Sequence, residues 1–276
     1  MLKDISIIEM KNIVTRSLSG VVYIALIVSA LWCGLSATMA LAAVFGVLAV
    51  YELKKIMTGK PSGVIDRLVM ALDMLAVVLL VLCVKVPELL FGAILIYPLL
   101  RFILALYDKD DSAFASAAAS MMSLTYIGLP MLALAMLYRI SSEPFFFVLS
   151  MFVLIWLNDT GAYCVGSTIG RHPLFPRLSP KKSWEGFWGG LLFCISASVG
   201  AYYINDCGMS LEAWLGMGVL VCVLSTLGDL FESLLKRNHH IKDSGRIIPG
   251  HGGILDRIDS LLFVSVGTLA YLFLIE

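Results

Sequence analysis

Apolar residues run along this chain in long blocks, and polar residues collect in the gaps between them. A helix that crosses the hydrocarbon core of a bilayer takes roughly 20 apolar residues. Blocks of about that length lie at 18–35, 37–53, 68–84, 87–106, 113–137, 145–161, 187–204, 214–227 and 261–275. The second and eighth are short, and the tight break at Gly34–Ser36 predicts a helical hairpin. The pattern predicts an all-α, polytopic integral membrane protein with about nine transmembrane helices. Two regions follow from it: residues 1–140 hold spans 1–5, and residues 141–276 hold spans 6–9 with the long polar connections. Pro98 and Pro130 fall inside spans and predict kinks. The polar start, with Lys3, Lys11 and Arg16 before an apolar block, has the look of a signal peptide. A second apolar block follows at once, so the first is expected to be a retained span.

Composition agrees. The chain is 59% hydrophobic and 14% charged, with a mean hydropathy of +0.92. A soluble domain carries about 25% charged residues, so an ordinary soluble domain is excluded. The net charge is zero, and nucleic acid is not expected as a partner. Cys33, Cys83, Cys164, Cys194, Cys207 and Cys222 are scattered, mostly within apolar blocks, and are expected to be reduced and structural. His172, His239, His240 and His251 lack ligand spacing with any of them, which argues against zinc.

The placement of charge orients the spans. With the N-terminus in the cytoplasm, the cytoplasmic segments are the N-terminus and the connections after spans 2, 4, 6 and 8. They hold eighteen of the 20 basic residues. Only Lys85 and Arg139 fall on the other side, as the positive-inside rule requires. The two long polar connections then share the cytoplasmic face, and Glu276 faces away from it.

Within this apolar chain, residues 233–259 read SLLKRNHHIKDSGRIIPGHGGILDRID. Polar groups this dense are costly beside a membrane unless they bind something. Cations suit phosphates, glycines let a backbone approach phosphate oxygens, and carboxylates suit a divalent metal. Asp229, Glu232 and Lys236 share one helix face at i, i+3 and i+7; a solvated helix end would show the same pattern. Four glycines and a proline between Lys242 and Gly253 break any regular helix. Asp256 follows that turn directly and can converge with Asp229. Asp259, three residues on, is explained by the helix dipole alone. Glu52 is expected to pair with Lys55, and Asp73 has no evident partner.

The segment resembles the signature of phosphatidate cytidylyltransferases, also called CDP-diacylglycerol synthases. Every fixed position is filled: Ser233, Lys236, Arg237, Lys242, Asp243, Gly245, Pro249, His251, Gly252, Gly253, Asp256, Arg257 and Asp259. Two further elements resemble the same family. One is Trp156-Leu-Asn158-Asp159-Thr160-Gly161-Ala162-Tyr163, closing span 6; a capped helix end would also use its Asn and Asp. The other is Ser179-Pro180-Lys181-Lys182-Ser183-Trp184-Glu185-Gly186, where Ser183 could simply cap span 7.

The resemblance implies that CTP and phosphatidic acid give CDP-diacylglycerol and diphosphate at the cytoplasmic interface of the cell inner membrane. It implies Mg²⁺ on Asp229 and Asp256, with a second cation as a further expectation. It implies catalytic roles for Asp229, Lys236, Arg237, Lys242, Asp243, His251, Asp256 and Arg257. Substrate contacts are expected from Asn158, Asp159, Ser179, Lys181, Lys182, Ser183, Glu185, Ser244, Gly252 and Gly253. The partners expected on this resemblance are CTP, phosphatidic acid of the inner leaflet and the membrane, with a homodimer as a further expectation. Two rival classes remain at this point: another CTP-using membrane lipid phosphotransferase, such as a lipid kinase, and a transporter. The Asp-Gly-x-x-Ala-Arg element of CDP-alcohol phosphotransferases is lacking.

Overall fold

A computed structural model describes residues 2–59, 63–108, 113–204, 207–245, 247–248 and 252–275, with the side chains of 2–16 and 89–93 outside that description. Pro249, His251 and Glu276, and the charges of Lys3, Lys11, Arg16, Lys60, Lys109 and Arg246, therefore lie outside the described residues or side chains.

The apolar blocks fold as helices. In chain order these are α1 (Leu2–Trp32), α2 (Leu35–Thr58), α3 (Val64–Leu82), α4 (Pro87–Tyr107), α5 (Ala113–Met122), α6 (Leu129–Ile140), α7 (Pro144–Ile169), α8 (Trp184–Ile204), α9 (Leu211–Asn238) and α10 (Leu255–Ile275). Among the described residues, six rods are long and apolar enough to cross a membrane: α2, Ala113–Ile140, α7, α8, α9 and α10. Ser17–Trp32 and Ile94–Tyr107 are shorter apolar helices, and α3 carries Asp66, Arg67 and Asp73 along its length. The protein is thus an α-helical polytopic membrane protein.

The rod from Ala113 to Ile140 is continuous but not uniform. A π-helical turn, Ser123–Gly128, separates α5 from α6. Pro130 follows it, and a proline lacks the N–H that would continue an α ladder. A widened turn absorbs that loss. It also sets Tyr126 against Phe231 of α9, with ring centroids 4.9 Å apart.

The connection from α7 to α8 departs from an all-helical expectation. Pro173–Phe175 (β1) and Ser179–Ser183 (β2) form a small antiparallel hairpin. Ser183 ends it and caps α8, its Oγ accepting the Gly186 N–H at 3.1 Å. Helix α8 packs on α7 along small residues. A Cβ on Gly189 would stand 2.5 Å from the Val165 side chain and 2.9 Å from the Gly161 carbonyl. Small residues of this kind let membrane helices approach closely.

Asp73 has several partners. It is buried in α3 and takes an ion pair from Lys54 of α2 at 2.9 Å and a hydrogen bond from Ser120 at 2.9 Å. The Tyr97 hydroxyl donates to it as well, and Arg101 Nε stands 3.7 Å away. Lys54 and Arg101 are each 3% exposed. Burial of two cations is tolerable only with such a counter-ion and hydrogen bonds. Glu52, one turn before Lys55, likewise departs from its expected pairing. It is 1% exposed and reaches Ser244 and Leu255, about two hundred residues further along the chain.

Candidate active site

Helices α9 and α10 run side by side and are joined by the glycine-rich loop. They approach closely at Gly228, where a Cβ would meet the Asp259 carbonyl oxygen at 2.6 Å. That contact sets Asp229 beside Asp259. The α9 turn then adds Glu232. Carboxylate oxygens of Asp229, Glu232 and Asp259 lie within 4.8 Å of one another.

Asp256 stands next to this group but is engaged otherwise. Its Oδ1 accepts Lys236 Nζ at 2.8 Å. Its Oδ2 accepts the N–H groups of Ser244 at 3.0 Å and Gly253 at 2.8 Å, and the Ser244 hydroxyl oxygen lies 2.9 Å away. Lys236 also pairs with Glu232 at 2.5 Å. The loop thus folds around the Asp256 carboxylate. Gly252 takes φ +83, a left-handed conformation open to glycine at little cost, and a Cβ there would meet Asp256 Oδ2.

These groups line a polar cavity of about 400 Å³. Six carboxylates face it, from Asp159, Asp229, Glu232, Asp243, Asp256 and Asp259, against four cations, Lys236, Arg237, Lys242 and Arg257. A surplus of hard oxygen donors suits a divalent cation such as Mg²⁺. The clustered trio of Asp229, Glu232 and Asp259 fits one.

A second cavity of about 430 Å³ adjoins it between α7, the hairpin, α8 and α9. Asn158, Asp159, Lys181, Lys182, Ser183 and Asp229 line it, with apolar walls that include Ala162, Tyr163, Leu174 and Phe187. Asp159 and Asp229 face both cavities. Lys182 pairs with Asp229 at 2.5 Å.

Most of the site residues expected from sequence are therefore brought together. Ser244, Gly252 and Gly253 cradle the Asp256 carboxylate. Glu185 serves the hairpin: it accepts the Arg171 and His172 N–H groups at 3.1 and 3.2 Å and stands 2.5 Å from His172 Nδ1. Ser179 opens β2 and is not among the residues lining either cavity. Of the pair expected to share a metal, the structure groups Asp229 with Glu232 and Asp259, whereas Asp256 holds the loop. Glu232 and Asp259 were not among the expected site residues. Their signal was present, in the i, i+3 spacing from Asp229 and in the last fixed position of the signature.

The helical bundle, with clustered carboxylates and cations facing one cavity among its helices, defines a polytopic membrane protein with a mixed-charge polar site. A model of the cytidylyltransferase family matches residues 14–275, and the chain belongs to that family. The phosphatidate cytidylyltransferase of Staphylococcus aureus (strain COL) is 42% identical over 157 residues, covering 57% of this chain and 59% of the relative. That of Staphylococcus saprophyticus is 41% identical over 168 residues, 60% and 64% of the two chains. That of Staphylococcus haemolyticus is 39% identical over 168 residues. The chain spans about three fifths of the length of these curated relatives.

Proposed function

We propose that the protein transfers a cytidylyl group from CTP to phosphatidic acid, giving CDP-diacylglycerol and diphosphate. The observation that carries this reading is the pair of adjoining cavities that share Asp159 and Asp229. One is polar and rich in both signs of charge, as a triphosphate with its metal requires. The other has apolar walls and two lysines, as a lipid phosphate requires.

In this reading a phosphatidate oxygen attacks the α-phosphorus of CTP. The new O–P bond forms as the bond to the bridging oxygen breaks, and the departing diphosphate carries away the negative charge. Both reactants are polyanions, so the main tasks are to cancel charge and hold geometry. Lys236, Arg237, Lys242 and Arg257 hold the phosphates of CTP. Lys181 and Lys182 hold the lipid phosphate beside Asp229. Asn158 and Asp159 complete the wall between the two reactants. Asp256 fixes Lys236 through their 2.8 Å pair. Phosphatidate is already ionised at neutral pH, so no dedicated base is required. Asp229, Glu232 and Asp259 would hold Mg²⁺, which supplies charge neutralisation at the triphosphate when bound.

The same reading puts the site on the cytoplasmic face of the inner membrane, with a cytoplasmic N-terminus and nine spans. The sidedness of the basic residues supports it. A transporter is not favoured, because the polar groups of the two cavities gather at one end of the bundle. The test is direct. Purified protein is given phosphatidic acid, CTP and Mg²⁺, and CDP-lipid and diphosphate are scored. CTP labelled at the α-phosphate should mark the lipid product. Transfer of γ label instead would make the protein a lipid kinase.

A further inference from the structure

Glu52 belongs to none of the motifs above, yet it lies against the signature loop. Its side chain reaches from the last turns of α2 into the loop between α9 and α10. Oε2 accepts the Ser244 hydroxyl at 3.0 Å and the Leu255 N–H at 2.9 Å. The same hydroxyl stands 2.9 Å from Asp256 Oδ2. One serine is therefore held between two carboxylates, one from the signature and one from the N-terminal helices. Glu52 Oε1 is buried with no hydrogen-bond partner among the described residues. Desolvating a carboxyl group this completely is costly.

Two glycines of the signature make room for it. A Cβ on Gly245 would run into the Glu52 carboxyl group, with its three nearest neighbours all atoms of Glu52. A Cβ on Gly253 would meet Ser244 Oγ and both Glu52 oxygens. The spacing of these glycines thus reads as the imprint of a residue nearly two hundred positions away.

We propose that Glu52 is a positioning residue for the transfer reaction: it ties Ser244 to Leu255 so that Asp256 presents itself to Lys236 beside the clustered carboxylates. This rests on the cytidylyl-transfer reading. Glu52 touches no reactant; it acts through the loop. Small displacements of aligned groups can cost on the order of 100-fold in rate, so the effect belongs in kcat.

The experiment uses the full chain in detergent and four variants: Glu52→Gln, Glu52→Ala, Gly245→Ala and the Glu52→Ala/Gly245→Ala pair. Each is measured for kcat, for KM of CTP and of phosphatidate, and for thermal midpoint. Glu52→Ala should lower kcat by on the order of 100-fold and leave KM for phosphatidate, which is held at the hairpin, nearly unchanged. Glu52→Gln keeps an acceptor for Ser244 and Leu255 and should retain most of the rate. Gly245→Ala should lower both rate and midpoint in the wild-type background and add little once Glu52 is gone. A wild-type kcat in Glu52→Ala would overturn the proposal. So would a Gln variant as slow as the Ala variant, or strictly additive effects of Gly245→Ala and Glu52→Ala. If the wild type itself forms no CDP-lipid, the functional reading fails, while the midpoints still report whether Glu52 and Gly245 meet.

Discussion

Lys182 of the hairpin and Asp229 of α9 form an ion pair of 2.5 Å at the boundary between the two cavities. Their side chains are 27% and 36% exposed, and pairs so open to solvent contribute only about 0–1 kcal/mol to stability. The pair is better understood by its position. It sets a cation where the apolar-walled cavity meets the acidic one, and in the proposed reaction this is the first cation an entering lipid phosphate would meet. The ion pair joins the open end of the hairpin, where Glu185 also accepts the Arg171 and His172 N–H groups, to α9.

Lys182→Ala should therefore separate stability from rate. The thermal midpoint should move little, in line with a loss below about 1 kcal/mol. The rate should fall roughly 10- to 100-fold, the equivalent of about 1.5–3 kcal/mol for one charge-assisted hydrogen bond to phosphate. The loss should appear in neutral micelles and persist in salt. Exposed charges are screened over about 10 Å at 0.1 M, so a lysine that merely attracts the bilayer would lose its effect there. Full activity of the variant in neutral micelles would make the segment a membrane tether.

The buried group around Asp73 predicts the opposite division. Asp73→Asn leaves Lys54 and Arg101 buried without their shared counter-ion. Breaking a buried pair by removing one partner costs about 3–5 kcal/mol. The thermal midpoint in detergent should drop sharply, while the specific activity of the protein that remains folded should hold. A variant that melts with the wild type would show that these charges are solvated.

The bundle was legible because a bilayer fixes the length of an apolar block, and the signature because thirteen fixed positions stand at fixed spacing. What escaped depends on contacts between distant segments. Asp259 satisfied a local rule, the helix dipole, and only the approach of α9 and α10 at Gly228 joins it to Asp229 and Glu232. Asp73 looked isolated because Lys54, Tyr97, Arg101 and Ser120 come from three other helices. Glu52 has a lysine three residues on, which made a local pair the natural expectation; its real partners lie across the fold. The hairpin was hidden because β1 and β2 are short and carry no apolar–polar alternation.

The orientation of α7 can be read by labelling. At 26 residues and 1.5 Å per residue it spans roughly 39 Å, enough for a hydrocarbon core of about 30 Å. Glu143, just before it, and Arg177, in the hairpin after it, are both exposed. Single cysteines at these two positions, in a cysteine-free background, should react with an impermeant maleimide from opposite faces of sealed vesicles. Arg177→Cys should react from the cytoplasmic face. Reaction of both from one face would remove the nine-span topology and the cytoplasmic placement of the site.

The carboxylates of the polar cavity should fail in two different ways. Asp229 and Asp259 stand in the trio whose oxygens converge within 4.8 Å. Asp256 is taken up by Lys236 and by the loop N–H groups of Ser244 and Gly253. Replacing Asp with Asn keeps the volume and removes the charge, so packing should survive in each case. For Asp229→Asn and Asp259→Asn the Mg²⁺ concentration at half-maximal rate should rise, and excess Mg²⁺ should restore part of the activity. For Asp256→Asn the rate should fall by about 100- to 1,000-fold, the loss typical when one preorganised electrostatic group is removed. Excess Mg²⁺ should not restore it, because the defect lies in the loop and in Lys236. The check is a Mg²⁺ titration of the rate for the three variants beside the wild type, with thermal midpoints to confirm folding. If Asp256→Asn alone shifts the Mg²⁺ requirement while Asp229→Asn and Asp259→Asn titrate like the wild type, the metal sits on Asp256 and not on the trio.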